Sequence, residues 1–282
     1  DGSNNIYVTG GSQGSGTSSD YATIKYNSAG VQQWVARYHG PDDFDQAVSL
    51  AVDASGNVYV TGMSDGGSPT FNDYATIKYN SAGVQQWVRR YNGTGSTGDA
   101  AYSIAVDASG NIYVTGSSSG SGTASDYATV KYNSSGTQQW VARYNGPGNS
   151  NDQAFKVVLV GTSIYVTGAS AGTLNGDFAT IKYNSSGVQQ WAARYNGPPG
   201  NLGDGANDMT VDGSGNIYVT GYSTGSSTSN DYATIKYNPS GVQQWVLKYN
   251  GSGNSTDEAN AIAVDGSGNI YVTGQSYYNT TH

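Results

Sequence analysis

The sequence predicts an all-β fold of stacked four-stranded antiparallel sheets, and three observations lead to this prediction. Four short segments recur in a fixed order about every 53 residues. Each segment is rich in Val, Ile, Tyr, Thr and Trp, which favour strands. Apolar residues do not follow helical spacing, and a chain with 41 glycines is a poor candidate for helices.

Strand b is the most regular segment and reads IYVTG or VYVTG. Its copies begin at Ile6, Val58, Ile112, Ile164, Ile217 and Ile270. Ile and Val occupy one face of this strand, and Tyr and Thr occupy the other. In a sheet with one solvent-exposed face, apolar and polar residues would alternate more regularly along each strand. We therefore expect both faces of each repeat to be covered by neighbouring repeats.

Three further strands complete the repeat. Strand c reads DYATIKYN or a close variant, strand d reads VQQWVARY or similar, and strand a ends in AVD just before the next strand b. The a–b and c–d connections, as at residues 53–57 and 27–30, are short and carry the Gly and Asn typical of hairpin turns. The b–c and d–a connections are longer, polar and variable. The repeat is thus predicted to be an antiparallel meander a-b-c-d.

Radial stacking of such sheets covers both faces of each sheet and leaves only short edges, which predicts a β-propeller formed by residues 1–282 as a single domain. An open solenoid of meanders is the weaker alternative. The chain starts in a strand b and ends after a sixth one. The last strand a, residues 261–265, would complete the first blade and give five blades, with one strand b in surplus. A six- or seven-bladed ring that needs further residues is the alternative.

The motifs AVDxSGNIYVTG and DYATIKYNxxGVQQW resemble the bacterial SBBP-type β-propeller repeat, and the first is also similar to the NHL and YVTN propeller repeats. The resemblance covers essentially the whole chain. It implies a propeller fold, usually in extracellular or surface proteins of bacteria and some archaea, with no single shared activity. It therefore supports the fold far better than a function.

Candidate ligand-binding residues lie in the long loops, where the repeats differ most. An Asp recurs just before each strand a and could form a ring of carboxylates for a cation or a polyhydroxylated ligand. The same Asp could instead bond backbone amides of a turn that every blade needs. Three aromatic residues that break the repeat extend the set. The candidates are Asp45, Asp99, Asp152, Asp204, Asp257, Phe44, Phe71 and Tyr222.

Two other Asp series have structural explanations. The Asp that begins strand c is expected to face a basic residue on strand d, as Asp20 faces Arg37, and to form a cross-strand ion pair. The motif DxSGN, as at Asp53, faintly resembles a calcium loop but lacks the closing Glu of an EF-hand. A hairpin turn explains it better. We therefore expect no metal site and no cofactor, although calcium binding is possible.

Catalysis finds little support in the sequence. The two histidines, His39 and His282, are far apart and not repeated, and the chain has no Cys. Nucleophile elbows, P-loops and zinc signatures are missing from the sequence. We expect no enzyme activity and no catalytic residue. The alternative is a carbohydrate-active enzyme that uses loop carboxylates such as Asp42, Asp43 and Asp65.

Charge and composition narrow the function classes. A net charge of −8 provides no electrostatic footprint for nucleic acid or for an anionic membrane surface, and the sequence has no apolar run long enough to insert into a membrane. The polar, acidic character favours an extracellular or cell-surface location. The main hypothesis is a non-catalytic scaffold that binds a glycan or a protein through its long loops. The alternative is a structural segment of a larger assembly, joined through the unpaired terminal strand b.

Overall fold

The structure is a computed structural model, and it describes residues 1–14, 16, 18–41, 44–67, 71–95, 97–172, 175–197, 203–225 and 229–277. All regular elements in these ranges are β-strands. The chain divides into two compact units, Asp1–Arg143 and Tyr144–His282. The described part contains no helix that is long and apolar enough to cross a membrane.

The first unit contains eleven strands among its described residues. They are β1 (Ile6–Ser12), β2 (Asp20–Tyr26), β3 (Gln32–Tyr38), β4 (Asp45–Val52), β5 (Val58–Asp65), β6 (Asn72–Tyr79), β7 (Gln85–Tyr91), β8 (Ala100–Val106), β9 (Ile112–Ser119), β10 (Ser125–Tyr132) and β11 (Gln138–Tyr144). They form sheets in the orders β1-β2-β3, β4-β5-β6-β7 and β8-β9-β10-β11.

The second unit contains ten strands in its described part. They are β12 (Asp152–Val160), β13 (Ser163–Ala171), β14 (Gly176–Tyr183), β15 (Gln189–Tyr195), β16 (Asp204–Val211), β17 (Ile217–Thr224), β18 (Asn230–Tyr237), β19 (Gln243–Tyr249), β20 (Asp257–Val264) and β21 (Ile270–Ser276). They form sheets in the orders β12-β13-β14-β15, β16-β17-β18-β19 and β20-β21.

The predicted meander a-b-c-d is confirmed by four four-stranded antiparallel sheets among the described residues. Strand a of each repeat contains a β-bulge after an alanine that recurs at the same place, as between Ala47 and Ser49. A second register shift separates strands c and d near the hairpin, as between Lys78 and Tyr79. Bulges increase the local twist of a sheet.

The tight turns follow from their polar residues. In the c–d turn, Asn27 Oδ1 accepts hydrogen bonds from the backbone of Ala29 and Val31 at 3.0 and 2.9 Å. Gly30 then adopts the left-handed conformation, with a φ of 76°. Asn and Gly are suited to these two roles.

Both faces of the second sheet are buried, as the sequence predicts. Val58, Val60 and Ile77 are fully buried in a cluster with Tyr21 of the first sheet. On the opposite face, Tyr59 packs in a cluster with residues of the third sheet. In the second unit, a similar cluster joins the sheet β12–β15 to the sheet β16–β19. Burial of apolar area on both faces is the main stabilising contribution to such a stack.

Hydrogen bonds also cross from sheet to sheet. The Tyr21 hydroxyl donates to the Ala75 carbonyl, and the Tyr74 hydroxyl donates to the Ala128 carbonyl, both at 3.2 Å. The indole Nε1 of Trp34 donates to the Ser81 carbonyl at 3.2 Å. In the first unit, the first and second sheets therefore each bond the following sheet through a tyrosine and a tryptophan.

The four expected Arg–Asp ion pairs form, but their register differs from the expectation. Arg90 lies opposite Ala75, two residues from Asp73, because Tyr79 pairs with Gln85 at the hairpin and the register then shifts by one further residue. The Arg90 guanidinium still reaches Asp73 at 3.1 Å as a diagonal pair. Sequence spacing alone could not reveal the extra residue in strand d.

The blade count of five is not confirmed. The described part of the chain contains a three-stranded first sheet, four complete sheets and a two-stranded last sheet. The last strand a, β20, pairs with β21 along Asp257–Val264. Its predicted place beside the first strand b is therefore not the pairing that the structure shows.

Candidate functional site

The five Asp residues that precede strand a are buried rather than exposed in the loops. Their exposed fractions do not exceed 3%. In each case one carboxylate oxygen accepts a hydrogen bond of 2.6 or 2.7 Å from the backbone N–H of a glycine that begins the loop. The five residues are Asp45, Asp99, Asp152, Asp204 and Asp257.

These carboxylates hold the long loops in place. The second oxygen of Asp99 accepts from the backbone N–H of Ser119 at 2.8 Å, which ties the d–a loop to the end of strand b. In Asp45 the corresponding oxygen has no hydrogen-bond partner among the described residues, because the Asp65 N–H donates to the Phe44 carbonyl. Direct contact of these residues with a ligand stays a prediction, and the geometry gives them a structural role.

The DxSGN motif is a closed hairpin turn. Asp107 Oδ1 accepts from the backbone N–H groups of Ser109 and Asn111, both at 2.9 Å. Its other oxygen accepts from the Asn111 side chain at 2.8 Å and from the Tyr113 hydroxyl at 3.2 Å. Burial raises the pKa of Asp107, but these hydrogen bonds outweigh burial and hold it below its usual value. Burial and the same carboxylate raise the pKa of Tyr113 to about 12.

A groove of about 410 Å³ lies at the long-loop end of the first sheet. It is lined by Gly11, Ser12, Gln13, Ser18, Ser19, Phe44 and Gln46. Phe44 is 40% exposed, and its backbone forms an isolated bridge with Ser19. The groove therefore combines hydroxyl and amide groups with one accessible aromatic ring.

The other aromatic candidates are placed differently. Phe71 is 62% exposed in the next b–c loop. Tyr222 packs across Gly205, where an added Cβ would lie 3.0 Å from the tyrosine ring. Burial, then the charges of Glu258 and Asp204, raises the pKa of Tyr222. The structure thus makes Phe44 and Phe71 accessible and gives Tyr222 a packing role.

Of the three carboxylates named for the alternative enzyme hypothesis, the structure describes one. Asp42 and Asp43 lie outside the described residues, and so does His282. Asp65 is partly buried, and its Oδ1 accepts from the backbone N–H of Gly67 at 3.1 Å. A pair of carboxylates for glycoside cleavage is therefore not formed by described residues of this set.

One cluster was missed by the sequence analysis. The Nδ1 atom of His39 lies 3.2 Å from an Asp20 oxygen and 3.6 Å from an Asp45 oxygen. The three side chains bring their potential ligand atoms within 4.8 Å of one another. The available signal was His39 itself, which replaces the Asn found at this place in the other four repeats, as in Asn92.

Two further grooves lie at the hairpin end, where we expected no ligand. One, of about 410 Å³, includes Asp1, Lys25 and Asp53 in its lining. The other, of about 290 Å³, includes Tyr59 and Lys78. The Lys78 Nζ atom lies 5.2 Å from the centre of the Tyr59 ring, which is a cation–π contact. Concave polar surfaces therefore occur at both ends of the sheets in the first unit.

Comparison with solved structures shows the fold alone. A protein of unknown function from Dyadobacter fermentans has 9% identity and a TM-score of 0.51, with 89% of this chain and 81% of that chain covered. A protein of unknown function from Bacteroides caccae has 11% identity, a TM-score of 0.48 and coverages of 82% and 76%. A gluconolactonase from Xanthomonas campestris has 13% identity, a TM-score of 0.46 and coverages of 91% and 78%. The last two likenesses are too weak to support an argument.

Comparison with protein families confirms the resemblance of the repeat. No curated protein sequence matches the chain. The family model described as a β-propeller repeat, SBBP, matches residues 33–68, 86–122, 190–227 and 244–279, which is more than half of the chain. The chain therefore belongs to the SBBP β-propeller repeat family.

Proposed function

We propose that the chain is a non-catalytic binding scaffold that works outside the cell and binds a glycan through the groove at the long-loop end of its first sheet. The observation that carries the proposal is the pairing of an accessible aromatic ring, Phe44, with hydroxyl and amide side chains in one cavity. Aromatic faces stack on sugars, while such polar groups bond sugar hydroxyls.

The rest of the repeat supports the proposal of a rigid scaffold that presents this groove. The buried Asp residues fix the ends of the long loops, as the Asp45 carboxylate does by accepting from the Gly40 N–H at 2.7 Å. A rigid scaffold that carries variable loops is a common arrangement in binding proteins. The acidic, polar composition is the support for an extracellular location.

A glycan array followed by calorimetry tests this function. The Phe44→Ala variant should weaken binding of a glycan hit by about tenfold, since a buried aromatic contact contributes on the order of 1 kcal/mol or more. Val31→Ala is the matched control, because Val31 is 56% exposed at the hairpin end of the same sheet. Absence of any glycan hit, or equal binding by both variants, would contradict the proposal.

The alternative function, a segment of a larger assembly, is favoured by uncovered sheet faces. Ile6 and Val8 are 54% and 50% exposed, whereas Val58 and Val60 at the same places in the next repeat are fully buried. In the second unit, Leu247, Tyr249 and Tyr271 are more than half exposed. The repeat buries these two kinds of face against each other wherever neighbouring sheets meet. We therefore propose a second copy of this chain as the partner.

Light scattering across a range of protein concentrations tests the assembly. Val8→Lys should reduce association, whereas Val31→Lys should leave it unchanged, because the second residue lies in a hairpin and not on the sheet face. A monomer at every concentration would exclude a second copy. Another repeat, or another part of the same chain, would then be the partner that covers the exposed sheet faces.

A further inference from the structure

We propose that Asp20, His39 and Asp45 form a binding site for a divalent transition-metal ion such as Zn²⁺. The site lies at the long-loop end of the first sheet. Asp20 begins β2, Asp45 begins β4, and His39 follows directly after β3. Imidazole nitrogen and carboxylate oxygen together suit first-row transition metals, and Zn²⁺ is among the ions that they bind.

The distances from His39 to the two carboxylates match those between neighbouring ligands of one ion. Metal–ligand bonds of about 2.0–2.2 Å at angles of about 90–120° place two ligand atoms about 3–3.6 Å apart. The Nδ1 atom of His39 lies 3.2 Å from Asp20 Oδ1 and 3.6 Å from Asp45 Oδ2. An ion can therefore replace the contacts of His39 without a large movement of the backbone.

Burial distinguishes this cluster from a patch of surface acids. The Asp45 side chain is fully buried, and its Oδ1 atom has no hydrogen-bond partner among the described residues. The Asp20 side chain is 7% exposed. The His39 side chain is 44% exposed, so that an ion can enter from its side and retain water there. Two buried carboxylates beside one accessible imidazole favour a cation of charge +2.

The arginine that pairs with the first Asp of strand c lies farther from that carboxylate in the first repeat than in three later ones. Arg37 lies 3.8 Å from Asp20, and it donates to Ser12 Oγ at 2.7 Å, as the corresponding arginines do to their serines, and to the Gln13 carbonyl at 3.0 Å. In three later repeats the same Arg–Asp pair is closer, at 3.1, 3.0 and 2.7 Å. The substitution of Asn by His and the looser arginine thus occur in the same repeat.

Calorimetry of the full chain with ZnCl₂ at pH 7 tests the site, and His39→Asn is the decisive variant. Asn stands at this place in the other four repeats, so the variant restores a residue that the fold already accommodates. We expect one Zn²⁺ per wild-type chain and at least about a tenfold weaker affinity in His39→Asn, because even groups that only orient metal ligands change affinity by 10–100-fold. Zn²⁺ should raise the melting temperature of the wild type but not of the variant.

Two controls keep the outcome clear. His282→Asn removes the other histidine of the chain and should leave Zn²⁺ binding unchanged. Titration with Mg²⁺ should show much weaker binding, since Mg²⁺ prefers oxygen ligands and retains its water. Lack of stoichiometric Zn²⁺ binding, equal affinity in His39→Asn, or loss of binding in His282→Asn would each overturn the proposal. Circular dichroism establishes that every variant is folded.

Discussion

At the scale of single residues, Gly30 and Gly83 show how the same motif meets two environments. They occupy the same place in neighbouring repeats and have φ values of 76° and 79°. A Cβ on Gly83 would lie 2.7 Å from the Trp34 ring, whereas a Cβ on Gly30 would have no atom within 4 Å. Both positions therefore favour glycine because of the left-handed backbone conformation. At Gly83 the Trp34 ring also leaves no room for a Cβ atom.

The first prediction separates these two effects. Gly30→Ala should lower the free energy of unfolding by about 1 kcal/mol because of the left-handed backbone alone. Gly83→Ala should cost at least about 1 kcal/mol more, because the indole of Trp34 must move. Urea denaturation of both variants measures the difference. Equal losses would show that the Trp34 contact adds nothing.

The second prediction concerns the carboxylate of the a–b turn. The pKa of Asp107 is lower when folded than its usual value near 4, so its stabilising effect is present above about pH 4. This effect is lost as the pH falls through the pKa of the folded state. Asp107→Asn keeps a hydrogen-bonding side chain but cannot ionise. Its melting temperature should therefore fall less between pH 5 and pH 3 than that of the wild type, and parallel curves would contradict this explanation.

At the scale of the strands, a threonine pair links strands b and c inside every complete sheet. The Thr115 hydroxyl lies 3.0 Å from the Thr129 hydroxyl and donates to the Ala128 carbonyl at 3.3 Å. Both threonines are fully buried. The sequence predicted these strands and their order, because each has β-branched residues and well-marked turns. It did not reveal the bulges, because an extra residue shifts the in–out alternation by one and apolar residues on both faces of these strands mask that shift.

The third prediction tests the threonine pair. Thr115→Val should lower the free energy of unfolding by about 1–2 kcal/mol, because it leaves the buried Thr129 hydroxyl without this partner. Thr129→Val should have a similar effect. The double variant should lose less than the sum of the two, because it removes both hydroxyls together. Additive losses in denaturation experiments would show that the two hydroxyls act independently.

At the scale of the whole molecule, the repeat explains most of the composition and few of the differences between repeats. The glycines, tyrosines and tryptophans fall at equivalent places, so the fold class and the family could be predicted from spacing. The cluster of Asp20, His39 and Asp45 could not, because its members come from three segments whose separation depends on the turns. The exposure of Ile6 and Tyr271 could not be predicted either, since the sequence of each strand is that of its buried counterparts.

The fourth prediction follows from the overall charge. The chain carries a net charge of −8 at pH 7 and has an isoelectric point near 4.4. Charge repulsion between molecules should therefore vanish near pH 4.4, and association should be strongest there. Static light scattering from pH 7 down to pH 4 measures this effect, with circular dichroism to establish that the protein remains folded. A decrease in scattering toward pH 4.4 would contradict it.

The hydrogen bonds from Tyr21 to Ala75 and from Tyr74 to Ala128 have a direction along the chain, with the donor always in the earlier repeat. The two faces of such a sheet therefore differ in the groups that they offer to a neighbouring sheet. Two copies that meet through the same face would bring like surfaces together and leave these groups unmatched. Only head-to-tail contacts would match them, and such contacts produce a closed ring or an open fibre according to the rotation between copies.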